Sequence, residues 1–203
     1  LPAGWDLWEK IGVTKAIEEA GFVLKQGIMF GMFEKPEVKL LTAEYPQYFV
    51  HPWTFHVERA KFDELLLNNA RAQGAEAREG WAVSEVLFDG DRAVGVMAAP
   101  EGGPQHRIEA PMVVDATGRD CMIARRMGWR RPDPVLNKIA HFTHFKGAFR
   151  RDSKDVVDIG PVFEGSVTTD IYTIDGGWIW YIPLADDIVS VGAVLDARHA
   201  KTL

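Results

Sequence analysis

The sequence has one cysteine, fewer cationic than anionic residues and no long hydrophobic run, and each scarcity excludes a class of protein. The single Cys121 excludes an internal disulfide framework and a zinc site built from cysteines. The 203 residues carry 23 Lys and Arg against 29 Asp and Glu, and a net charge of −6 argues against a nucleic-acid or anionic-membrane binder. No apolar run approaches the roughly 20 residues that span a bilayer. We therefore expect a cytoplasmic protein without stable membrane insertion.

The six histidines do not form a metal-binding pattern. His141 and His144 are an odd number of residues apart in an expected strand, so they point to opposite faces. His51 and His56 flank Pro52 in a loop-like stretch. Because no carboxylate or cysteine completes a ligand set, we predict no metal site.

Hydrophobic periodicity predicts a mixture of helices and strands. The predicted helices cover 5–20 (in one or two pieces), 57–73 and 121–127. The predicted strands cover 22–33, 48–50, 81–88, 92–98, 107–109, 112–114, 139–149, 156–163, 168–174, 178–183 and 188–195. Residues 34–46 contain two prolines and are expected to form a loop or two weak elements. Residues 112–114 are expected to be a strand buried on both faces.

These elements predict an α+β fold in which an α/β portion is joined to a mostly antiparallel sheet. We divide the chain into a helical segment (1–21), two groups of sheet strands (22–54 and 131–203) and an α/β portion (55–130). The chain starts at Leu1 without a methionine, and its first four residues are typical of the middle of a protein. A piece of a longer chain is therefore expected.

Lys25 is the first candidate for chemistry. In its predicted strand it shares a face with Gly27, Met29, Gly31 and Phe33, a face that is otherwise apolar or bare. A lysine on such a face would lose hydration, and the resulting fall in its pKa suits a reactive amine. The alternative is a lysine at the start of a strand whose ammonium group reaches water.

Two other places suit an anionic or nucleotide ligand. Asp115, Ala116, Thr117 and Gly118 follow a predicted buried strand, and small residues there let a nucleotide approach the backbone. The alternative is a plain strand-to-helix turn. Arg59 lies in the first turn of a predicted helix, where a cation is unfavourable. It either projects into water or pairs with an anion.

Residues 178–183 read Trp-Ile-Trp-Tyr-Ile-Pro. At the strand period of two, Trp178 and Trp180 share one face. Alternating aromatic residues of this kind are either part of a hydrophobic core or part of a functional surface.

In combination these segments resemble flavin-dependent halogenases of the tryptophan-halogenase type, a branch of the FAD-dependent monooxygenases. The similar segments are Leu1-Pro2, residues 20–27 (Ala-Gly-Phe-Val-Leu-Lys-Gln-Gly), residues 57–63 together with 113–119, and residues 178–183. The last segment matches the family's Trp-x-Trp-x-Ile-Pro motif and is the most specific of the four. The FAD-contacting segments are shared with relatives that do not halogenate.

The resemblance implies a partial fold of the FAD-dependent hydroxylase type that lacks the amino-terminal dinucleotide-binding βαβ unit. Segments 1–21 and 55–130 would then belong to the FAD domain, and 22–54 and 131–203 to the substrate domain. The implied FAD-lining residues are Arg59, Val83, Asp115, Ala116, Thr117 and Gly118. The isolated 203 residues are expected to bind FAD weakly or not at all.

The resemblance also implies a reaction. Reduced FAD from a separate flavin reductase would form a hydroperoxide with oxygen, and chloride or bromide would attack it to give hypohalous acid. Lys25 would hold or activate this acid for an electron-rich aromatic substrate, either a small molecule or a carrier-protein-bound group, while Trp178 and Trp180 would discourage direct oxygen transfer. The alternatives are an FAD-dependent hydroxylase, an isoprenoid reductase of the same fold, and a non-catalytic binding module or inactive remnant.

Overall fold

Ten strands and four α-helices make up the described part of the chain. The computed structural model describes residues 2–32, 35–42, 53–133, 135–150 and 167–197. The α-helices are α1 (Trp5–Lys10), α2 (Thr14–Glu19), α3 (Arg59–Ala72) and α4 (Met122–Arg126). The strands are β1 (Val23–Met32), β2 (Lys35–Thr42), β3 (Thr54–His56), β4 (Trp81–Asp89), β5 (Arg92–Pro100), β6 (His106–Glu109), β7 (Lys138–Lys146), β8 (Val167–Ile174), β9 (Gly177–Pro183) and β10 (Ile188–Asp196).

The chain divides into two compact units, one formed by residues 1–75 with 136–203 and the other by 76–135. The first unit contains α1 to α3 and a sheet of seven described strands, and the second contains α4 and the sheet β4-β5-β6. In the division expected from the sequence, α3 belongs to the α/β portion at 55–130. The structure places α3 in the first unit because its apolar side chains pack against α2 and the start of β1.

A hydrophobic core between the helices anchors the first unit. Val13, Ile17 and Phe22 are almost fully buried, and Phe62 and Leu65 of α3 pack against them. Burying side chains of this size contributes about 1.5–3 kcal/mol each to stability. The core therefore fixes α2 and α3 beside the strand that carries Lys25.

The large sheet runs in the order β2-β1-β8-β9-β10-β7, and β3 also pairs with β1. Only the β1–β8 pair is parallel among the described pairs, so the prediction of a mostly antiparallel sheet is confirmed. β2 occupies a stretch that was expected to be a loop or weak elements, and it lies at the edge of the sheet, where a strand with Pro36 is tolerated. The predicted strands 48–50 and 156–163 lie outside the described residues.

The prediction of a buried strand at residues 112–114 is wrong. Residues 112–117 have no regular secondary structure, and Met112 and Val114 are 77% and 79% exposed. An apolar run favours a strand only where another strand supplies ladder hydrogen bonds. None of the described strands pairs with these residues.

The indole ring of Trp180 packs against Gly192 of β10. A Cβ atom added at Gly192 would lie 2.3 Å from Cζ2 of Trp180 and 2.6 Å from Cβ of Phe142. The indole Nε1 of Trp180 donates a hydrogen bond to Ser190 Oγ at 3.3 Å. The absence of a side chain at Gly192 therefore permits the position of this indole ring.

We predict that Gly192→Ala displaces the Trp180 indole. The added methyl group overpacks the contact, so the free energy of unfolding should fall by about 1–3 kcal/mol. Denaturant unfolding measures this loss, and near-ultraviolet circular dichroism reports the change around the tryptophan.

The matched control is a double-mutant cycle with Trp180→Leu, which removes the ring that the new methyl group would meet. The cost of Gly192→Ala should be smaller in that background. An equal cost with and without the indole would show that the ring contact is not the reason for glycine at this position.

Candidate active site

Lys25 lies at an irregularity in the ladder between β1 and β8. Lys25 pairs with Val167, but the next pair is Gly27 with Thr168, so Gln26 is an extra residue on β1. Paired residues of neighbouring strands point to the same face, and successive residues of a strand alternate. Since Val167 and Thr168 point to opposite faces, so do Lys25 and Gly27.

The predicted face of Lys25 is therefore wrong. An unbroken strand would place Lys25 beside Gly27, Met29 and Gly31, whereas the extra residue reverses the alternation. The fourth predicted neighbour, Phe33, lies outside the described residues. The cause is the bulge, which the hydrophobic pattern does not reveal.

The bulge puts Lys25 on the face that carries the two indoles. Val167 and Ile171 share a face of β8, and Ile171 pairs with Trp180 of β9. Trp178, two residues earlier, shares that face. Trp180 is two strands away from Lys25 and four residues farther along, which separates their Cα atoms by about 16 Å. The structure thus brings the three residues onto one face without contact between them.

The Lys25 side chain is half-buried, and burial lowers the pKa of its ammonium group. Its ladder partner Thr54 is only 4% exposed. Within the described ranges, no hydrogen bond or ion pair is formed by the Lys25 side chain. The amine is therefore poorly hydrated and has no neutralising partner there, which favours proton donation and reactivity.

The two tryptophans form an open aromatic surface rather than a closed core. Trp178 is 36% exposed, and the ring centroid of Trp180 lies 6.0 Å from that of Phe142, which is 66% exposed. Large aromatic side chains left this accessible are suited to contact another flat molecule.

Arg59 is exposed and paired within its own helix. Its Nε and Nη2 donate hydrogen bonds to the two carboxylate oxygens of Asp63 at 3.0 and 2.9 Å. The hydrogen bond and the charge of Asp63 raise the pKa of the guanidinium group. The Arg59 side chain is 78% exposed, so an anion could compete with Asp63 for it.

In the second unit, Asp115 shapes the loop that precedes α4. Its Oδ1 accepts hydrogen bonds from the hydroxyl of Thr117 at 2.6 Å and from the backbone N–H of Thr117 at 3.1 Å. Its Oδ2 accepts the N–H of Ile123 at 2.8 Å. The bond from the Thr117 hydroxyl, followed by the two backbone bonds, lowers the pKa of this carboxyl group. Asp115 therefore orders its own loop, which leaves Ala116 and Gly118 exposed at the surface.

The remaining predicted cofactor residue, Val83, is 43% exposed on β4 in the same unit. Val83 and residues 115–118 thus belong to the second unit, and Arg59 belongs to the first. In the described part of the chain, no helix is long and apolar enough to cross a membrane. No three His, Cys, Asp or Glu side chains among the described residues are grouped as metal ligands.

Sequence patterns did not identify a buried histidine that lies two residues from the ladder partner of Lys25. His56 is 4% exposed, its Nδ1 donates to the carbonyl oxygen of Pro183, and its Nε2 contacts Thr169 Oγ1, both at 2.9 Å. Periodicity could not identify it, because β3 has only three residues.

A cavity of about 160 Å³ lies mainly on the opposite face of the sheet. Buried Asp170 faces it, and Thr168 donates a hydrogen bond to this carboxylate at 2.7 Å. Among the residues that the structure describes, the lining is formed by Phe149, Val167, Thr168, Asp170, Tyr172, Tyr181 and Pro183. No sequence motif indicated this cavity.

Comparisons with a family profile and with curated relatives show the family of this chain. The family profile for tryptophan halogenases matches residues 33–202. A Pseudomonas fluorescens chlorinase of 1H-pyrrole-2-carbonyl groups on a peptidyl-carrier protein is 33% identical over 98% of this chain and 47% of its own length. Tryptophan 2-halogenase of Chondromyces crocatus is 30% identical over 94% of this chain and 34% of its own length.

Among solved structures, the myxobacterial chondrochloren halogenase CndH, an FAD-dependent halogenase, superimposes with a TM-score of 0.85 at 30% identity. The match covers the whole of this chain and 44% of that chain. This chain thus spans less than half the length of these relatives. The profile match covers most of its residues, and the chain belongs to the tryptophan halogenase family.

Proposed function

We propose that the protein containing this chain is a flavin-dependent halogenase that places chloride or bromide on an electron-rich aromatic ring. The observation that supports this most is the half-buried Lys25 amine on the same sheet face as Trp178 and Trp180. The substrate would be a small molecule or a group bound to a carrier protein, as the names of two relatives describe for those proteins.

FAD is the proposed cofactor. Each of the two units contains residues whose chemistry suits part of this molecule. In the first unit, Arg59 offers an exposed guanidinium group to the anionic pyrophosphate. In the second, Ala116, Thr117 and Gly118 are exposed on a loop ordered by Asp115, where the backbone is accessible to a ligand. When bound and reduced, FAD would activate oxygen for the oxidation of halide to hypohalous acid. A separate flavin reductase is the proposed source of reducing equivalents.

Lys25 would act on the hypohalous acid as a hydrogen-bond donor. An ammonium N–H directed at the oxygen withdraws electron density from the halogen and makes it more electrophilic. Partial burial strengthens such a bond, because the effective dielectric constant is lower than in water. An aromatic ring placed beside Lys25 would then take up the halogen and lose a proton, while the O–halogen bond breaks and the oxygen leaves as water.

Trp178 and Trp180 would separate the chemistry of the cofactor from that of the substrate. Their indoles occupy the open part of the sheet face that also carries Lys25. Rigid aromatic rings there would exclude water and would keep the substrate ring from receiving oxygen directly. Gly192 supports this role, because it leaves room for the Trp180 ring.

We predict that Lys25→Ala in the full-length protein greatly reduces halogenation while flavin oxidation continues. Loss of one charged donor at the reacting atom reduces such rates by about 100-fold to 1,000-fold. Mass spectrometry of the products measures halide incorporation, and flavin absorbance measures oxidation.

The control is Lys15→Ala, which removes a highly exposed lysine from α2 and should leave both measurements unchanged. Normal halogenation by Lys25→Ala would overturn the role of Lys25. A hydroxylated product from the unmodified protein would favour the hydroxylase alternative.

A second prediction concerns the pH at which the Lys25 amine reacts. Only a neutral amine is acylated, and burial lowers the pKa of Lys25 in the folded protein. The midpoint of its acylation should therefore lie at a lower pH in the folded protein than in the same chain unfolded in denaturant. Acylation over a pH series, followed by peptide mass spectrometry, gives both midpoints. Equal midpoints would contradict the burial argument.

A further inference from the structure

We propose that His56 is a positioning residue that holds the strand of Lys25 against the proline end of the tryptophan strand. The catalytic importance of His56 rests on the proposed function. Its structural role does not depend on that function. The proposal is supported by the two hydrogen bonds of the His56 side chain, by the pairing of β3 with β1, and by the burial of His56.

His56 is tied to Lys25 through β3. In the antiparallel β1–β3 pair, Lys25 is opposite Thr54 and Val23 is opposite His56. His56 therefore lies on the same face as Lys25, two residues from the ladder partner of Lys25. Thr54 and His56 are each 4% exposed, so water does not compete for the hydrogen bonds of the His56 side chain. A movement of His56 would be transmitted to Lys25 through this short strand.

The hydrogen bonds of His56 have defined directions. The carbonyl oxygen of Pro183 can only accept, so the imidazole Nδ1 carries a hydrogen and donates it. In the neutral ring, Nε2 is then an acceptor for the hydroxyl of Thr169. One side chain thus bonds to β8 through Thr169 and to β9 through Pro183.

These bonds occur where the ladder between β8 and β9 ends. The register of this pair starts at Asp170 with Tyr181, and Thr169 and Pro183 lie beyond that pair. Pro183 has no N–H to donate, so the ladder cannot continue through it in the ordinary way. The imidazole replaces the missing strand-to-strand bonds at the end of β9 that is closest to Lys25.

A second bond from the same segment reinforces the arrangement. Glu58 lies two residues after His56, and its Oε1 accepts the backbone N–H of Ala185 at 2.8 Å. Ala185 lies two residues after Pro183. Residues 56–58 are therefore bonded twice to residues 183–185, directly before Arg59 begins α3. The segment links the Lys25 strand, the tryptophan strand and the first turn of α3.

The test measures the position of Lys25 through the pH midpoint of its acylation in the full-length protein. His56→Phe keeps an aromatic ring and removes both hydrogen bonds. His56→Asn keeps a donor near the place of Nδ1. We expect His56→Phe to raise the midpoint toward that of the unfolded chain by about 0.5 pH unit or more, a threefold change in neutral amine, and His56→Asn to restore most of it.

Two further variants separate positioning from loss of stability. Thr169→Val removes one of the two bonds and should give an intermediate shift. Leu195→Ala weakens the opposite end of β10, six residues beyond Val189, the ladder partner of Pro183, and should leave the Lys25 midpoint unchanged. If His56→Phe does not fold, Thr169→Val still decides the question, because it removes the bond to β8 and keeps the imidazole. An unchanged midpoint in both His56→Phe and Thr169→Val, or an equal shift in Leu195→Ala, would overturn the proposal.

The yield of halogenated product per flavin oxidised tests separately whether the positioning by His56 matters for halogenation. This ratio should fall in His56→Phe and recover in His56→Asn. If the unmodified protein forms no halogenated product, the proposed function fails, while the acylation midpoints still establish or overturn the positioning by His56. If halogenation occurs and the midpoints do not move, His56 has no positioning role.

Discussion

The arrangement of the candidate site depends on one extra residue in β1. Gln26 interrupts the pairing with β8, and side chains beyond it point to the opposite face from the one that regular alternation gives. Without this bulge Lys25 would point to the face of Asp170 and the cavity. With it, Lys25 shares the face of Trp178 and Trp180. A backbone irregularity of one residue thus decides which of two chemically different surfaces receives the half-buried amine of Lys25.

The position of Lys25 is unfavourable by itself, and the surrounding structure offsets that cost. Partial burial without a counter-charge among the described residues destabilises the ammonium form, which is the reason for its lowered pKa. The helical core of Val13, Ile17 and Phe22 lies next to the start of β1 and supplies apolar burial. The hydrogen bonds of His56 supply directional contacts on the other side. The site is therefore stabilised from elements that take no part in the proposed chemistry.

Long periodic elements could be predicted from the sequence, and short or irregular ones could not. The break between α1 and α2 follows from Gly12, whose φ of +72° suits glycine, and the strand of Trp178 and Trp180 follows from its alternation. The bulge at Gln26 has no compositional signal, so the face of Lys25 was predicted wrongly. β3 is too short to show a period, which concealed His56. At 112–114 the apolar run indicated burial, although burial also requires a partner that local sequence does not specify.

The proline that ends the tryptophan strand explains why a side chain is needed at this point. A proline leaves its strand without one donor, and the ladder between β8 and β9 stops before Pro183, although Pro183 still pairs with Val189 of β10. Pro183 still offers its carbonyl oxygen, and the buried imidazole of His56 satisfies it. Because His56 belongs to the strand that pairs with β1, satisfying this carbonyl also fixes the backbone beside Lys25. Residues 178–183 and Lys25 are in this way connected through the hydrogen bond of His56 and not through direct contact.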